Sequence, residues 1–247
     1  MNVVFLGTNG WYDTETGNTT SILLETDKYY IILDAGNGLH KVDQYITSKK
    51  PIYIFLSHFH LDHIIGLHIL NKFNFGQDID IYGQAGTKKI LNTIINEPYT
   101  VPIDKLQFKV GIYELSEGAH KIPFLVKCLF LQHSSKCLGF RFEVQNKVIS
   151  YCADTKICKN AVELAKNADM LITECSFGPG QYNKKWPHLN PEAAAKIAKE
   201  ADAKKLVLTH FDASIYQTLQ KRKEAGKKAA EIFNNVVVAF DNMGVEV

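Results

Sequence analysis

With 247 residues, 46% of them hydrophobic and 22% charged, the chain can bury a sizeable core, which excludes an intrinsically disordered protein. A formal charge of only +2 offers little long-range pull on a polyanion, so composition disfavours a long nucleic acid as partner. Five cysteines, an odd number with no Cys-x-x-Cys pair, indicate neither a disulfide framework nor a thiolate zinc site and predict reduced, buried thiols.

Residues 1–7 have neither the basic start nor the long apolar run of a signal peptide. No later segment supplies the roughly 18 apolar residues that cross a bilayer, so a cytoplasmic protein without a membrane span is expected. Val3-Val4-Phe5-Leu6 reads as a buried strand stopping at Gly7, followed by a long polar loop through Asn18. Residues 20–25 and 29–33, parted by Asp27-Lys28, predict a hairpin rich in β-branched and aromatic residues. A helix over 39–46, a strand over 52–56, a helix over 65–70, a strand over 79–82 and a helix over 87–95 follow. Residues 96–105, with Pro98 and Pro102, are the least regular stretch.

The second half repeats the style, with strands near 106–115 and 125–131 and a hairpin of 139–144 and 148–152. A helix over 160–165, a strand over 170–173, a helix over 191–200, a strand over 205–209 and a long helix over 214–233 complete it. Asn190 before Pro191 is a helix-start signal, because asparagine caps free amides while proline suits the first helical position. Lys221-Arg222-Lys223 with Lys227-Lys228 reads as a solvated helix face. Each half opens with paired strands and ends in strand-helix alternation. The prediction is one α/β domain over residues 1–247, two mixed sheets face to face with helices on the outer faces.

Ser57-His58-Phe59-His60-Leu61-Asp62-His63 follows a predicted buried strand directly. In extended backbone alternate side chains share a face, so His58 and His60 can converge on one ion while the following turn offers Asp62 and His63 to another. Imidazole and carboxylate suit zinc or a similar divalent cation. His40 and His68, on predicted helices, and His120, in a predicted loop, are read as packing or solvent-facing residues.

The cluster resembles the His-x-His-x-Asp-His signature of the metallo-β-lactamase superfamily. That resemblance implies three further ligands in chain order, each after a strand. His133 follows Leu129-Phe130-Leu131, Asp154 follows Ile149-Ser150-Tyr151-Cys152, and His210 follows Leu206-Val207-Leu208-Thr209. Phe5-Leu6-Gly7-Thr8 and Leu33-Asp34-Ala35-Gly36 also look like N-terminal features of the family. The implied fold is the αββα sandwich. The implied cofactor is a pair of divalent ions, zinc first and manganese as the alternative. His58, His60 and His133 would hold one ion, Asp62, His63 and His210 the other, and Asp154 would bridge them. Two such ions roughly 3.5–4 Å apart can share a carboxylate and a water whose pKa falls toward neutrality, and the resulting hydroxide would be the nucleophile.

The fold serves many hydrolyses, so the flanking residues must choose the bond. Thr173-Glu174-Cys175 after a strand, and Pro187-His188-Leu189-Asn190 before a capped helix, resemble the ribonuclease Z branch of phosphodiesterases. The resemblance implies that His188, paired with Glu174, is a general acid beside the metals, and that Asp62 also orients the nucleophile. The tRNA-processing enzymes carry a Gly- and Pro-rich arm between the positions of His133 and Asp154. Here residues 137–152 are used by a hairpin and no arm fits. The expected substrate is therefore a small phosphodiester, a cyclic mononucleotide first, including the cyclic pyrimidine nucleotides cyclic CMP and cyclic UMP destroyed by similar armless phage anti-defence enzymes. The competing readings are a tRNA 3′ endoribonuclease and an ester, thioester or lactone hydrolase. The 96–105 loop could bring Tyr99 over the substrate or into a second subunit's site, and similar proteins suggest a homodimer.

Overall fold

The computed structural model describes residues 1–247. The first half contains β1 (Asn2–Gly7), β2 (Asn9–Gly10), β3 (Ser21–Glu25), β4 (Tyr30–Leu33), a 3₁₀ segment Asn37–Gln44, β5 (Ile52–Phe55), the short helix α1 (Leu61–Ile64) and a second 3₁₀ segment, Ile65–Lys72. It continues through β6 (Ile79–Gln84), α2 (Thr87–Ile94), a 3₁₀ turn Ile103–Lys105 and β7 (Val110–Leu115). The second half contains β8 (Gly118–Lys121), β9 (Leu125–Leu131), β10 (Cys137–Val144), β11 (Lys147–Cys152), α3 (Lys159–Ala165) and β12 (Met170–Glu174). Then come α4 (Pro191–Glu200), β13 (Leu206–Thr209), β14 (Phe211–Asp212), α5 (Leu219–Ala230), β15 (Val236–Val238) and β16 (Met243–Glu246). No helix is long and apolar enough to cross a membrane.

Two seven-stranded mixed sheets result, ordered β16-β1-β3-β4-β5-β6-β7 and β15-β13-β12-β11-β10-β9-β8. Within each, antiparallel pairing gives way to parallel pairing, from β4 to β7 in one and from β11 through β12 and β13 to β15 in the other. The αββα sandwich of the sequence reading is therefore the observed architecture. Period-two alternation sorts side chains between two cores: Val3 and Phe5 of β1 face the 47-residue cluster between the sheets, and Val4 and Leu6 face a 20-residue cluster under the 3₁₀ segments and α2. The central parallel strands β4, β5, β12 and β13 are buried along their whole length, as strands covered on both faces must be. All five cysteines are free and buried. Asn190 caps α4 as expected, its Oδ1 accepting the Ala193 N–H at 2.8 Å, with Pro191 leading the helix.

Several elements differ from the sequence reading. The 39–46 and 65–70 segments are 3₁₀ rather than α, as Asn37–Gln44 and Ile65–Lys72, and Ala35 before the first is tied to the turn that leads into the second, Ala35 N–H to His63 O at 2.7 Å and Gly66 N–H to Ala35 O at 2.8 Å. The 214–233 helix shrinks to α5, since Asp212 Oδ1 captures the Ser214 N–H at 2.8 Å and Thr218 caps a later start. His120 lies on β8 rather than in a loop. The polar loop after Gly7 carries β2, which pairs in parallel with β14 just past His210. β15 and β16, absent from the sequence reading, close the two sheets.

The largest correction concerns Arg222, which is not on a solvated face but wholly buried. Its guanidinium lies 4.8 Å from the Phe211 ring centroid and donates to Thr8 Oγ1 at 2.8 Å, to Thr16 Oγ1 at 3.0 Å and to Asn9 Oδ1. These bonds satisfy Nη1 and Nη2, as burial of a guanidinium demands, while Nε is left without a partner. Removing it strands three oxygen acceptors, so Arg222→Ala should destabilise the fold by about 2–4 kcal/mol. Lys223→Ala, one residue along and exposed, should change stability by less than about 0.5 kcal/mol. Urea denaturation of the two variants decides it, and similar midpoints for both would refute the assignment.

Candidate metal centre

The site lies where the carboxyl ends of the parallel strands meet, the position where open α/β sheets bind ligands. Asp34 follows β4, His58 and His60 follow β5, Asp154 follows β11, Glu174 ends β12 and His210 follows β13. His133 follows the antiparallel β9. Leu138 N–H donates to Ser57 O at 2.8 Å, tying the histidine segment of one sheet to a strand of the other.

All seven residues singled out as metal ligands come together, in two groups: His58, His60 and His133 with Asp154, and Asp62, His63 and His210. Asp154 divides its oxygens between them. Oδ2 lies 3.9 Å from His58 Nε2 and 3.7 Å from His133 Nε2, while Oδ1 lies 3.3 Å from His63 Nε2 and 3.4 Å from His210 Nε2. Within the groups, His133 Nε2 is 3.3 Å from His60 Nδ1, and His210 Nε2 is 3.0 Å from His63 Nε2 and 3.3 Å from Asp62 Oδ2.

The electrostatics follow from this crowding. Burial and the neighbouring His63 drive His58 well below the usual imidazole range, despite Asp154, so it is neutral. Burial also opposes charge at His63 and His210, yet the carboxylates of Asp154 and Asp62 win and raise both, so without a cation the acids draw protons onto these rings. Asp154 and Asp62 are held below the ordinary carboxylate range against their own burial, by His210 and His63 for Asp154 and foremost by His63 for Asp62. His58 Nε2 and Asp154 Oδ1 are buried without hydrogen-bond partners, a cost that structures seldom leave uncompensated. Unpartnered nitrogen and oxygen donors facing one another fit divalent cations, which replace protons on imidazoles.

Nδ1 of His58, of His63 and of His210 is held from behind, whereas Nδ1 of His133 is buried without a partner. Asp34 Oδ2 meets His63 Nδ1 at 2.8 Å and accepts from Ser57 Oγ at 2.8 Å and Tyr151 Oη at 2.6 Å. Ser57 Oγ lies 3.0 Å from His58 Nδ1, and Ser176 Oγ 3.1 Å from His210 Nδ1. Such contacts fix ring orientation and ligand basicity. Gly10 is required beside His210, since a Cβ there would lie 2.5 Å from His210 Cε1.

Glu174 and His188 also meet. Nδ1 of His188 is 2.9 Å from Oε1 and 3.0 Å from Oε2 of the fully buried Glu174, and 3.9 Å from Asp154 Oδ2. Although Asp154, Glu174 and His188 lie close enough to hold an ion, both Glu174 oxygens are already engaged, by His188 and by the Thr155 N–H at 2.6 Å and the Ser176 N–H at 3.3 Å. Glu174 and His188 make a hydrogen-bonded dyad beside Asp154.

A cavity of about 690 Å³ opens over the two groups, with Asp62, Asp154, His188 and His210 in its wall. Trp11, Phe59, Leu61 and Trp186 also line it. Tyr99 does not; it is exposed, on a loop joined to the second 3₁₀ segment by Thr100 Oγ1 donating to His68 O at 2.6 Å. Sequence reasoning passed over Asp34, Ser57, Ser176 and both tryptophans. The Asp34-Ala35-Gly36 strand end was the available signal for the first.

Asp34→Asn would keep the volume but set an amide donor against Ser57, Tyr151 and His63. We expect metal affinity to fall about 10–100-fold, read by chelator competition. The exposed Asp43→Asn serves as control, and equal affinities would remove Asp34 from the site.

A family model described as a β-lactamase superfamily domain matches residues 29–211. Ribonuclease Z of Bacillus velezensis is 26% identical, with 100% of this chain and 99% of the relative covered over an aligned length of 310. The "Probable metallo-hydrolase YhfI" of Bacillus subtilis is 28% identical over 243 residues, 96% of each chain. The YhfI crystal structure superposes with a TM-score of 0.82 at 23% identity, covering 100% of this chain and 98% of that one. Human tRNase Z, short form, gives 0.76 at 26% identity, covering 100% and 99%. The chain belongs to the metallo-β-lactamase superfamily and is a metal-dependent hydrolase of its ribonuclease Z-like branch.

Proposed function

We propose that the protein is a phosphodiesterase that holds two divalent ions, zinc foremost, and hydrolyses a small phosphodiester, a cyclic mononucleotide such as cyclic CMP or cyclic UMP. The observation that carries this reading is the His188–Glu174 dyad, 2.9 Å across, set against Asp154 in the cavity wall. An alkoxide leaves a phosphodiester slowly unless a proton arrives, and an imidazole held by a carboxylate is built to deliver one.

Divalent cations bound by the two ligand groups supply Lewis acidity toward phosphate oxygens and acidify water. The protein residues do the rest. Asp154 and Asp62 keep the two imidazole sets in register. Glu174 holds His188 by Nδ1 and leaves Nε2 to carry a proton to the leaving oxygen. Burial opposes charge on His188, but the Glu174 carboxylate outweighs it and pushes the pKa up to about 9, so the ring is protonated at neutral pH. Cations beside Asp154 act in the opposite direction, which sets the alkaline limb of activity at or below that value.

A small substrate is favoured by length as well as chemistry. The alignment with ribonuclease Z runs to 310 positions against 247 residues here, so that relative carries segments this chain lacks, whereas YhfI aligns over 243. Residues between His133 and Asp154 are taken up by the β10–β11 hairpin, closed by Gln145 and Asn146 at positive φ, with no projecting arm. The second reading, a tRNA 3′ endoribonuclease, is favoured by full-length similarity to relatives named ribonuclease Z.

Metal-loaded protein should be assayed with cyclic mononucleotides, bis(p-nitrophenyl) phosphate, acyl thioesters and precursor tRNA. We expect His188→Ala to lose about 10²–10⁴-fold on cyclic nucleotides and far less on the p-nitrophenyl ester, whose leaving group needs no proton. Glu174→Gln removes the anion that raises His188, so the alkaline limb should move to lower pH. Full turnover of cyclic nucleotides by His188→Ala, or cleavage of the tRNA alone, would overturn the proposal.

A further inference from the structure

The chain has two tryptophans, far apart in sequence, and both line the cavity over the ligand groups. Neither is a core residue: Trp11 is 68% exposed and Trp186 49%. Large exposed aromatics converging on one cleft mark a binding surface, because the apolar ring face of an indole is left in water until a ligand covers it.

The backbone that carries each indole is held in place. Trp11 has φ +74°, a left-handed conformation that costs a bulky residue energy. It is kept there by its N–H, which donates to Asp62 Oδ2 at 2.8 Å, and by the β2–β14 pairing immediately before it. The Tyr12 ring abuts the indole, centroids 5.2 Å apart and near perpendicular. Trp186 sits on the other side of the centre, 5.7 Å from the His188 ring and 6.4 Å from His133, and its carbonyl accepts the His188 N–H at 3.1 Å.

The charge around them narrows the ligand. No lysine or arginine lines the cavity, so there is no cationic track for a run of phosphates such as a polynucleotide would need. One phosphate is served by the ligand groups and His188. What lies beyond it meets Trp11, Trp186, Phe59 and Leu61, flat and apolar surfaces that suit a planar ring.

We propose that Trp11 and Trp186 are specificity-determining residues that stack against the base of a mononucleotide, so the enzyme selects a base-bearing phosphodiester over one without a ring. This rests on the phosphodiesterase reading above. Trp11 is tied to Asp62 by its backbone N–H and Trp186 stands two residues before His188, so base contact fixes the phosphate relative to the proton donor.

Trp11→Phe leaves Trp186 as the sole indole fluorophore, and Trp186→Phe leaves Trp11. Zinc-loaded protein of each variant is titrated with cytidine 3′,5′-cyclic phosphorothioate and with glycerophosphocholine, a phosphodiester without a ring. We expect saturable quenching by the nucleotide alone. In parallel, kcat/KM is measured on cyclic CMP and glycerophosphocholine for Trp11→Ala and Trp186→Ala. The ratio of the two should fall ~10- to 100-fold, mainly through KM, with the Phe variants retaining most of it. Quenching without turnover of any phosphodiester would uphold base stacking and sink the phosphodiesterase reading instead. Turnover with an unchanged ratio and no quenching would overturn the proposal.

Discussion

The centre of this molecule is one buried carboxylate that faces two ways. Asp154 turns Oδ2 toward His58 and His133 and Oδ1 toward His63 and His210, and all five side chains are almost wholly removed from solvent. Burying an acid and four imidazoles together is unfavourable unless their charges balance. The balance comes from cations or from protons on His63 and His210, and the two compete for the same nitrogens. Because the ligands come from both sheets, the arrangement also fixes how the sheets meet. Tyr151 of β11 and Ser57 after β5 both donate to Asp34 after β4, at 2.6 and 2.8 Å, and the Tyr151 bond crosses between the two sheets.

Holding a histidine outside the ligand groups is the second constraint. A histidine committed to a cation has no proton to give, and a free histidine has an ordinary pKa unless an acid is placed beside it. Glu174, fully buried at the end of β12, meets this need because backbone amides of Thr155 and Ser176 take part of its charge and hold its orientation. The remainder acts on His188. The dyad thus sits 3.9 Å from Asp154 without joining the ligand groups.

What the sequence made legible follows from where the information lay. His58, His60, Asp62 and His63 stand within six positions, so their convergence could be reasoned from spacing, whereas His133, Asp154 and His210, each after an apolar run, were picked out by the resemblance to the metallo-β-lactamase superfamily. The two-sheet architecture was readable from the switch between paired strands and strand-helix units, and α4 was placed to the residue because Asn190 and Pro191 punctuate it. Asp34 was visible only as part of a family-like strand end, because its bonds to Ser57, His63 and Tyr151 exist only in three dimensions. Arg222, flanked by Lys221 and Lys223, looks solvated, and only tertiary packing on Phe211 reveals otherwise. β2 and β14, two residues each, are too short for any period, although Val236-Val237-Val238 was a strand signal in plain view. Trp11 and Trp186 carry no spacing at all; their relation exists only in three dimensions.

The end of the chain explains how a strained loop beside the metal groups can be rigid. β16 pairs with β1, which brings Asp241 back to the N-terminal loop. Thr8 Oγ1 donates to Asp241 Oδ1 at 2.7 Å while accepting from Arg222 at 2.8 Å, so one hydroxyl joins a buried cation to an acid that does not touch it directly. Asp241 Oδ2 also receives Lys41 Nζ at 2.6 Å and the Asn18 N–H at 2.8 Å. Both ends of the loop that carries Trp11 are therefore clamped by charge-assisted bonds, the stronger kind. A backbone with φ +74° at Trp11 persists only where its surroundings over-determine it. The helix α5 and the turn before β16, though distant in sequence from every candidate ligand, supply that over-determination and so hold the Trp11 amide against Asp62.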